Sequence, residues 1–327
     1  MQPDIKILFF IMISRRLLRI KVLQVLYAYY KSDQKDLNKS EKELFFSINK
    51  AYDLFYYILL LAIEVADYAE SRIELARNKR MPSHEDLHPN TRFIGNKFIE
   101  QLRENRQFKR YLETAKISWS NHPEFIKELY NLFIEHPEYQ EYMNADEIDY
   151  GRDKKIIIRF FNDIVFPNES LHQILEEKSI YWNDDLEFVI SMVIKTVKKF
   201  REDSTEELEL PDLFKNDEDR EFVKKLFRKA TVYRKMSLEL IEEKASNWDL
   251  ERIAFMDVLI MQLAITEMIE FRSIPTKVTL NEFLEIAKFY STEKSNTFIN
   301  GVLDKILQKL KDEKKIVKTG RGLIGEI

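Results

Sequence analysis

The chain of 327 residues has no cysteine and only six glycines and eight prolines. Without cysteine it has no disulfide, no thiolate nucleophile and no sulfur ligand for zinc or iron, and a reducing compartment such as the cytoplasm is expected. The scarcity of glycine and proline disfavours β-hairpins and loops that cradle phosphate. No Walker loop, dinucleotide-binding fingerprint or nucleophile elbow is present in the sequence. We therefore expect an all-α protein that has no cofactor and is not an enzyme.

The chain also lacks a long apolar run near its start. The stretch ILFFIMI at residues 7–13 follows a single lysine and is ended by Ser14-Arg15-Arg16. A bilayer span needs roughly 20 apolar residues and a signal peptide needs a small-residue cleavage site, and this stretch has neither. We expect residues 1–13 to be a start-site extension or loose arm, with Met12 the natural start, and we expect no membrane association.

The chain as a whole has no excess of positive charge. Its net charge is −4 and its pI is near 5.9, which argues against a protein that coats nucleic acid with its entire surface. With 45% hydrophobic and 33% charged residues, the composition is that of a folded protein. Binding of an anionic partner would therefore depend on a local cluster of basic residues.

Helical patterns cover most of the chain. Residues 14–31 form one, with Ser14 as its N-cap candidate. Its core-facing positions recur with helical spacing at Leu18, Val22, Val25 and Tyr29. A longer helix is predicted over residues 40–79, and short helices are predicted in the proline-punctuated stretch 82–137. The acidic loop at 202–217 is the best candidate for a linker.

An internal repeat is visible at an offset of 66 residues. Five residues recur, namely Phe161, Glu176, Glu177, Lys178 and Trp182 as Phe227, Glu242, Glu243, Lys244 and Trp248. The repeated unit would be a helix, a Glu-Glu-Lys end, a tryptophan and another amphipathic helix. Five identities leave both duplication and chance open. We also expect the ring of Trp248 to be buried at the joint between two bundles.

Three segments in the C-terminal part and one near the start carry a family signature. The C-terminal segments are NWDLERI at 247–253, IPTKVTLNE at 274–282 and FINGVLDK at 298–305. The first predicted helix opens with Arg-Arg-x-x-Arg at 15–19 and continues with Gln-Val-Leu-Tyr at 24–27. In this order, the segments resemble the NusB family of transcription antitermination factors.

The resemblance implies two packed helical bundles with a helical insertion in the N-terminal half. It covers about residues 14–75 and 218–311, whereas roughly 80–205 has no counterpart in the short family members. The predicted parts are an N-terminal helical domain at 14–247 containing the insertion at about 80–205, a C-terminal bundle at 248–311 and a basic tail at 312–327.

The resemblance also implies a function. Family members bind boxA-type single-stranded RNA together with NusE, a small-subunit ribosomal protein, and act with RNA polymerase in antitermination, chiefly on ribosomal RNA operons. The alternative is a helical scaffold that holds a protein partner and has lost RNA binding. RNA methyltransferases with a NusB-like domain need a glycine-rich cofactor loop and a catalytic cysteine, and this sequence has neither. Whether the unbound protein is a homodimer is left open.

A basic cluster without any acid marks the first predicted helix. Residues 14–31 hold five positive charges and no negative one, and guanidinium groups at a helix start favour phosphate. By resemblance, Tyr27 and Phe298 stack on unpaired bases, although either could be a core residue. The candidate RNA-binding residues are Arg15, Arg16, Arg19, Lys21, Tyr27 and Phe298. We expect charge reversal of Arg16 and Arg19 to weaken RNA binding without loss of helicity.

Other residues in the matched segments have weaker signals. By resemblance, Glu267, Lys294 and Ser295 are candidates for binding the protein partner. Gly301 lies inside the last predicted helix, where glycine costs about 1 kcal/mol relative to alanine and usually indicates close packing or a backbone approach.

Neither the histidines nor the end of the chain indicates a separate site. His84 and His88 have helical spacing, but prolines bracket them and no further ligand is evident, so no metal site is expected. Residues 305–321 hold seven basic and two acidic residues. We expect this tail to be disordered and solvated, and the alternative is that it adds nonspecific affinity for RNA.

Overall fold

The computed structural model describes residues 15–147, 149–214, 217–245 and 253–324, without the side chains of residues 293 and 294. These ranges contain α-helices, one π-helical turn at Phe160–Val165, one 3-10 helix at Gly320–Leu323 and no β-strand. The all-α prediction is confirmed. The α-helices are α1 (Arg15–Lys31), α2 (Leu37–Arg77), α3 (His84–Leu87), α4 (Lys97–Glu104), α5 (Arg106–Ala115), α6 (Pro123–Glu135), α7 (Pro137–Asn144), α8 (Tyr150–Arg159), α9 (Glu169–Lys178), α10 (Leu186–Lys199), α11 (Asp217–Val232), α12 (Arg234–Lys244), α13 (Phe255–Glu270), α14 (Thr276–Tyr290) and α15 (Glu293–Asp312).

The helices form two compact units. The central unit comprises residues 49–213, and the terminal unit comprises the described residues up to 48 and from 214 onward. α2 therefore begins in the terminal unit and continues in the central unit. The predicted insertion at about 80–205 lies inside the central unit, which also contains most of α2.

The core of the central unit is built around α2. Every side chain from Leu54 to Ala62 is buried, so this part of the helix is enclosed on all faces rather than on one stripe. The ring of Tyr57 stacks on Trp119, with 3.8 Å between centroids, and on Trp182, with 5.5 Å. α2 has the length and apolarity of a membrane-crossing helix, but 67% of its apolar window is buried inside the protein. That burial indicates a core helix.

The internal repeat coincides with a repeated order of helices. α8 with the π-helical turn, then α9 and α10, correspond in order and approximate length to α11, α12 and α13. Trp182, between α9 and α10, is buried and its Nε1 donates to the carbonyl of Lys50 at 2.7 Å. The equivalent Trp248 lies outside the described residues, so its burial stays a prediction. The agreement in helix order supports duplication.

The core of the terminal unit is built around α13. Residues from Asp257 to Met268 are buried without interruption, because α1, α11, α12, α14 and α15 all pack against this helix. A helix that is enclosed on all sides is stabilised by this packing rather than by an amphipathic face. α13 thus fixes the positions of the helices that carry the family signature.

The C-terminal residues 313–324, which we call the C-terminal strap, are mostly exposed to solvent, as predicted, but their backbone is held against the loop that follows α13. The backbone N–H of Thr319 donates to the carbonyl of Arg272 at 3.0 Å, and the ammonium of Lys318 donates to the carbonyl of Phe271 at 3.0 Å. Gly322 is buried against the same loop, where an added Cβ would lie 1.9 Å from the carbonyl oxygen of Arg272. The prediction of a disordered end was wrong because these contacts are made to a loop far away in sequence.

Candidate nucleic-acid interface

α1 carries most of the predicted RNA-binding residues on a helix that is anchored by its apolar stripe. Leu18, Val22 and Val25 are buried as predicted, and Tyr29 is half-buried, with its ring edge-on to Phe227. Burial of such side chains contributes about 1.5 to 3 kcal/mol each. The opposite face of α1 is thereby held at a defined position on the terminal unit.

α1 and α14 lie side by side and run in the same direction. The guanidinium of Arg16 donates two hydrogen bonds to Glu282 at 3.0 and 2.8 Å. Eight residues further along each helix, Gln24 donates to the hydroxyl of Tyr290 at 3.4 Å. Equal steps along both helices mean that the two contacts are separated by about 12 Å. The start of α1 is therefore beside the first half of α14, and its later turns are beside the end of α14.

Arg15 and Arg16 are the accessible part of the predicted arginine cluster. The side chain of Arg15 is 38% exposed and pairs with Asp219 at 2.8 Å, and that of Arg16 is 45% exposed and pairs with Glu282. The hydrogen bonds that the Arg16 guanidinium donates to Glu282 raise the pKa of Arg16 above its ordinary value. The cluster has no acid in its own helix, but folding brings carboxylates to both residues from helices far away in sequence.

Arg19 and Lys21 lie in the interior. The side chain of Arg19 is 3% exposed and forms two hydrogen bonds of 2.7 Å each with Glu267, whose side chain is fully buried. The whole residue Lys21 is 1% exposed. The predicted phosphate contacts of Arg19 and Lys21 do not fit this burial. Reversing the charge of Arg19 would place a second carboxylate beside Glu267, so the expectation of unchanged helicity is not supported.

Tyr27 belongs to an aromatic cluster with cations around it. Its side chain is exposed, and its ring meets Phe255 edge-on with 5.5 Å between centroids. The ammonium of Lys31 lies 4.6 Å from the centre of the Phe255 ring and 5.9 Å from that of Tyr27. On the other side, Arg234 lies over Tyr30 at 4.5 Å and over Phe255 at 5.7 Å. Exposed rings beside cations are the surface that unpaired bases stack on.

The start of α15 adjoins the end of α14. Ser291 and Thr292 both form hydrogen bonds with the hydroxyl of Ser295, at 2.9 and 2.8 Å. Phe298 follows one turn later and is half-buried. Gly301, predicted to mark a close approach, has no atom of the described residues within 4 Å of where a Cβ would be, apart from the backbone of its own helix. The close internal packing predicted at this glycine is therefore wrong, and its face of α15 is open to solvent.

The three candidates for partner binding have different surroundings. Glu267 is fully buried, and in addition to Arg19 its carboxylate accepts a hydrogen bond from Thr279 at 2.8 Å. Ser295 is buried, and its hydroxyl forms hydrogen bonds with neighbouring side chains. The side chain of Lys294 lies outside the described residues. In this conformation neither Glu267 nor Ser295 presents its side chain to a partner.

The sequence of the chain matches a known protein family. A family model described as the NusB family matches residues 186–308. The transcription antitermination protein NusB of Salinibacter ruber is 46% identical over 112 residues, which are 33% of this chain and 70% of the relative. The chain belongs to the NusB family.

Other NusB relatives match shorter parts. The protein of Chloroherpeton thalassium is 45% identical over 84 residues, 26% of this chain and 40% of the relative. That of Natranaerobius thermophilus is 43% identical over 72 residues, 22% of this chain and 52% of the relative. No solved structure matches the chain. The chain thus covers well under two thirds of these two relatives.

The match to the NusB family begins at α10, earlier than the predicted start at about residue 218, and it does not include α1. The assignment of the arginine cluster and Tyr27 as RNA-binding candidates is therefore supported by the similarity of α1 to the family's first helix and by the contacts described above, not by the family match.

Two residues of this candidate interface were missed from the sequence. Phe255 and Arg234 lie on different helices from Tyr27 and have no motif of their own. The spacing of α13 predicts a buried stripe, but it does not indicate that the first residue of the helix lies at the surface beside α1. Among the residues that the structure describes, no group of three or more His, Asp or Glu side chains could hold a metal ion.

Proposed function

We propose that this NusB-family chain binds boxA-type single-stranded RNA together with NusE, and acts in the cytoplasm with RNA polymerase in antitermination on ribosomal RNA operons. The observation that supports RNA binding best is the shared face of Arg16 and Tyr27. They are eleven residues apart on α1, about three turns and 16 Å. An exposed guanidinium at one end and an exposed ring with cations at the other suit a strand that presents phosphate and base in turn.

The phosphate contact requires Arg16 to exchange one anion for another. Its partner Glu282 forms a partly exposed ion pair with it, and such pairs contribute only about 0 to 1 kcal/mol. A phosphate can replace the carboxylate at little cost, because a guanidinium binds either in the same forked geometry. Tyr27 adds stacking on a base, a contact of about 1 to 3 kcal/mol.

RNA binding is tested with the Arg16→Glu and Tyr27→Ala variants. We expect each to weaken binding of a boxA-type RNA about tenfold, measured by fluorescence anisotropy, with unchanged circular dichroism. Lys127→Glu is the matched control, because Lys127 is 51% exposed and lies in the central unit. Equal affinity of wild type and both variants would remove α1 from the binding surface.

NusE is proposed to dock on the exposed face of α14. Val278 and Phe289 are three turns apart on this helix, and Phe289 is 71% exposed. An exposed phenylalanine of this kind suits an apolar contact with a protein partner. Phe289→Asp should weaken NusE binding in a calorimetric titration and leave the affinity for RNA alone unchanged. Equal NusE affinity would place the partner on another surface.

The scaffold alternative differs in one measurement. A scaffold without RNA binding gives no RNA isotherm at low salt, whereas about three phosphate contacts with a single strand give a slope near −2 in log K against log salt. Sedimentation with and without RNA shows at the same time whether the unbound protein is a homodimer.

A further inference from the structure

The terminal unit has a second basic surface next to Arg15. α11 and the C-terminal strap border an open groove of about 570 Å³ beside the loop that follows α13. Two acidic residues, Glu218 and Glu221, line this groove. Six cationic side chains line it as well, namely Arg15, Lys224, Lys225, Arg228, Lys229 and Arg321. Four of these cations are paired with carboxylates, Arg15 with Asp219, Arg228 with Glu41, and Lys225 and Lys229 with Glu270, so the uncompensated positive charge of the groove lies at Lys224 and Arg321.

Two of these cations have no acidic partner. Lys224 is half-buried and Arg321 is exposed, and neither forms an ion pair within the described ranges. By contrast, Lys225 and Lys229 both pair with Glu270, at 3.0 and 3.1 Å. The unpaired cations can therefore bind an external anion without breaking an internal contact.

The floor of the groove is formed by aromatic rings. The rings of Phe222 and Phe271 lie 4.8 Å apart between centroids, and the guanidinium of Arg15 lies 5.2 Å from the centre of the Phe222 ring. Phe271 is half-buried, so part of its surface is accessible from the groove. Cations around an aromatic floor are the combination found in grooves that bind single-stranded nucleic acid.

The C-terminal strap holds Arg321 at this groove. Gly320 has a φ of +54°, which favours glycine, and Gly322 fits against the carbonyl of Arg272 only because it has no side chain. The N–H of Gly322 donates to the carbonyl of Thr319 at 3.0 Å, closing a turn around Arg321. The position of Arg321 is thus determined by the backbone on both sides.

We infer that this groove binds the RNA strand beyond the boxA-type segment, as a sequence-independent extension of the path along α1. Arg15 links the two surfaces, because it is the neighbour of Arg16 on α1 and also lines the groove. Phosphates contact Lys224 and Arg321, and a base packs on Phe271. Since the contacts are to the backbone and to one ring face, the groove takes a strand of any sequence. This inference rests on the proposed RNA binding.

The test compares a short boxA-type RNA with the same RNA extended at both ends by unrelated sequence, using the full chain. The double variant Lys224→Glu, Arg321→Glu should bind the extended RNA about tenfold more weakly near physiological salt. The slope of log K against log salt should become less steep by about 1.4, because two single-strand phosphate contacts are removed. Its affinity for the short RNA should not change. Lys235→Glu is the control, because Lys235 is 91% exposed in the same unit and does not line the groove.

A second variant tests the strap without changing any charge. Gly322→Val cannot keep the strap in place, so it should lower the affinity for the extended RNA, by less than Arg321→Glu does alone because no negative charge is added. Equal affinity of wild type and variants for the extended RNA would refute RNA binding at the groove and leave the proposed function intact. Absence of binding to either RNA overturns both. Binding of an acidic peptide, without any gain from RNA extension, overturns the groove as an RNA site.

Discussion

Replacing Arg19 by alanine should destabilise the terminal unit strongly. The guanidinium forms two hydrogen bonds of 2.7 Å with Glu267, and the two side chains are 3% and 0% exposed. Without Arg19, the carboxylate of Glu267 keeps the hydroxyl of Thr279 at 2.8 Å but has lost its countercharge. Removing one partner of a buried ion pair costs about 3 to 5 kcal/mol, because the remaining charge stays buried.

The destabilisation is measured as the change in the free energy of unfolding in urea, followed by circular dichroism and fitted by linear extrapolation. Arg16→Ala is the control, because its ion pair with Glu282 is partly exposed and should contribute less than about 1 kcal/mol. Adding Glu267→Gln to Arg19→Ala should restore much of the stability, since no buried charge then remains. If Arg19→Ala costs no more than Arg16→Ala, the buried pair does not have the role argued for it.

Three further predictions concern other positions. Gly301→Ala should raise the free energy of unfolding by about 0.5 to 1 kcal/mol, because the site is helical and open; a loss in the urea melt would contradict this. Although burial opposes its charge, hydrogen bonds from Tyr233 and two lysines lower the pKa of Glu270 to about 2 from 4.5. This carboxylate therefore contributes stability above about pH 4.5 that is lost as the pH falls towards 2, and Glu270→Gln should flatten this part of a stability-against-pH curve. Trp248→Ala should cost about 3 kcal/mol or more in urea, as expected for its buried repeat counterpart Trp182, and a loss below about 1 kcal/mol would refute its burial.

The helices could be predicted from the sequence because their information is local. The apolar spacing and the prolines place α1 and α2 within a few residues of their bounds. The strap could not be predicted, because a basic stretch with two glycines has the composition of a solvated end. Its order depends on the fit of Gly322 against the loop at Arg272, which is about 50 positions earlier in the chain and has no pattern in the sequence.

The arginine cluster shows the same limit at the candidate site. Arg16 and Arg19 look alike in the sequence, since both lie in the first turns of a basic helix and neither has an acid nearby. Arg16 pairs with Glu282, 266 residues away, and Arg19 pairs mainly with Glu267, 248 residues away, with Glu282 as a second, longer contact at 3.5 Å. The periodicity of α1 alone does not show which of its faces is covered by α13.

The burial of the two ion pairs separates their roles. Water and salt reach the pair of Arg16, so the pair contributes little and a phosphate can take the place of its carboxylate. The pair of Arg19 has no solvent around it, so an incoming phosphate would have to be desolvated and would leave Glu267 buried without a countercharge. One Arg-Arg-x-x-Arg segment therefore supplies both a ligand-binding side chain and a structural one. The distinction predicts that RNA affinity responds to Arg16 and the stability of the fold responds to Arg19.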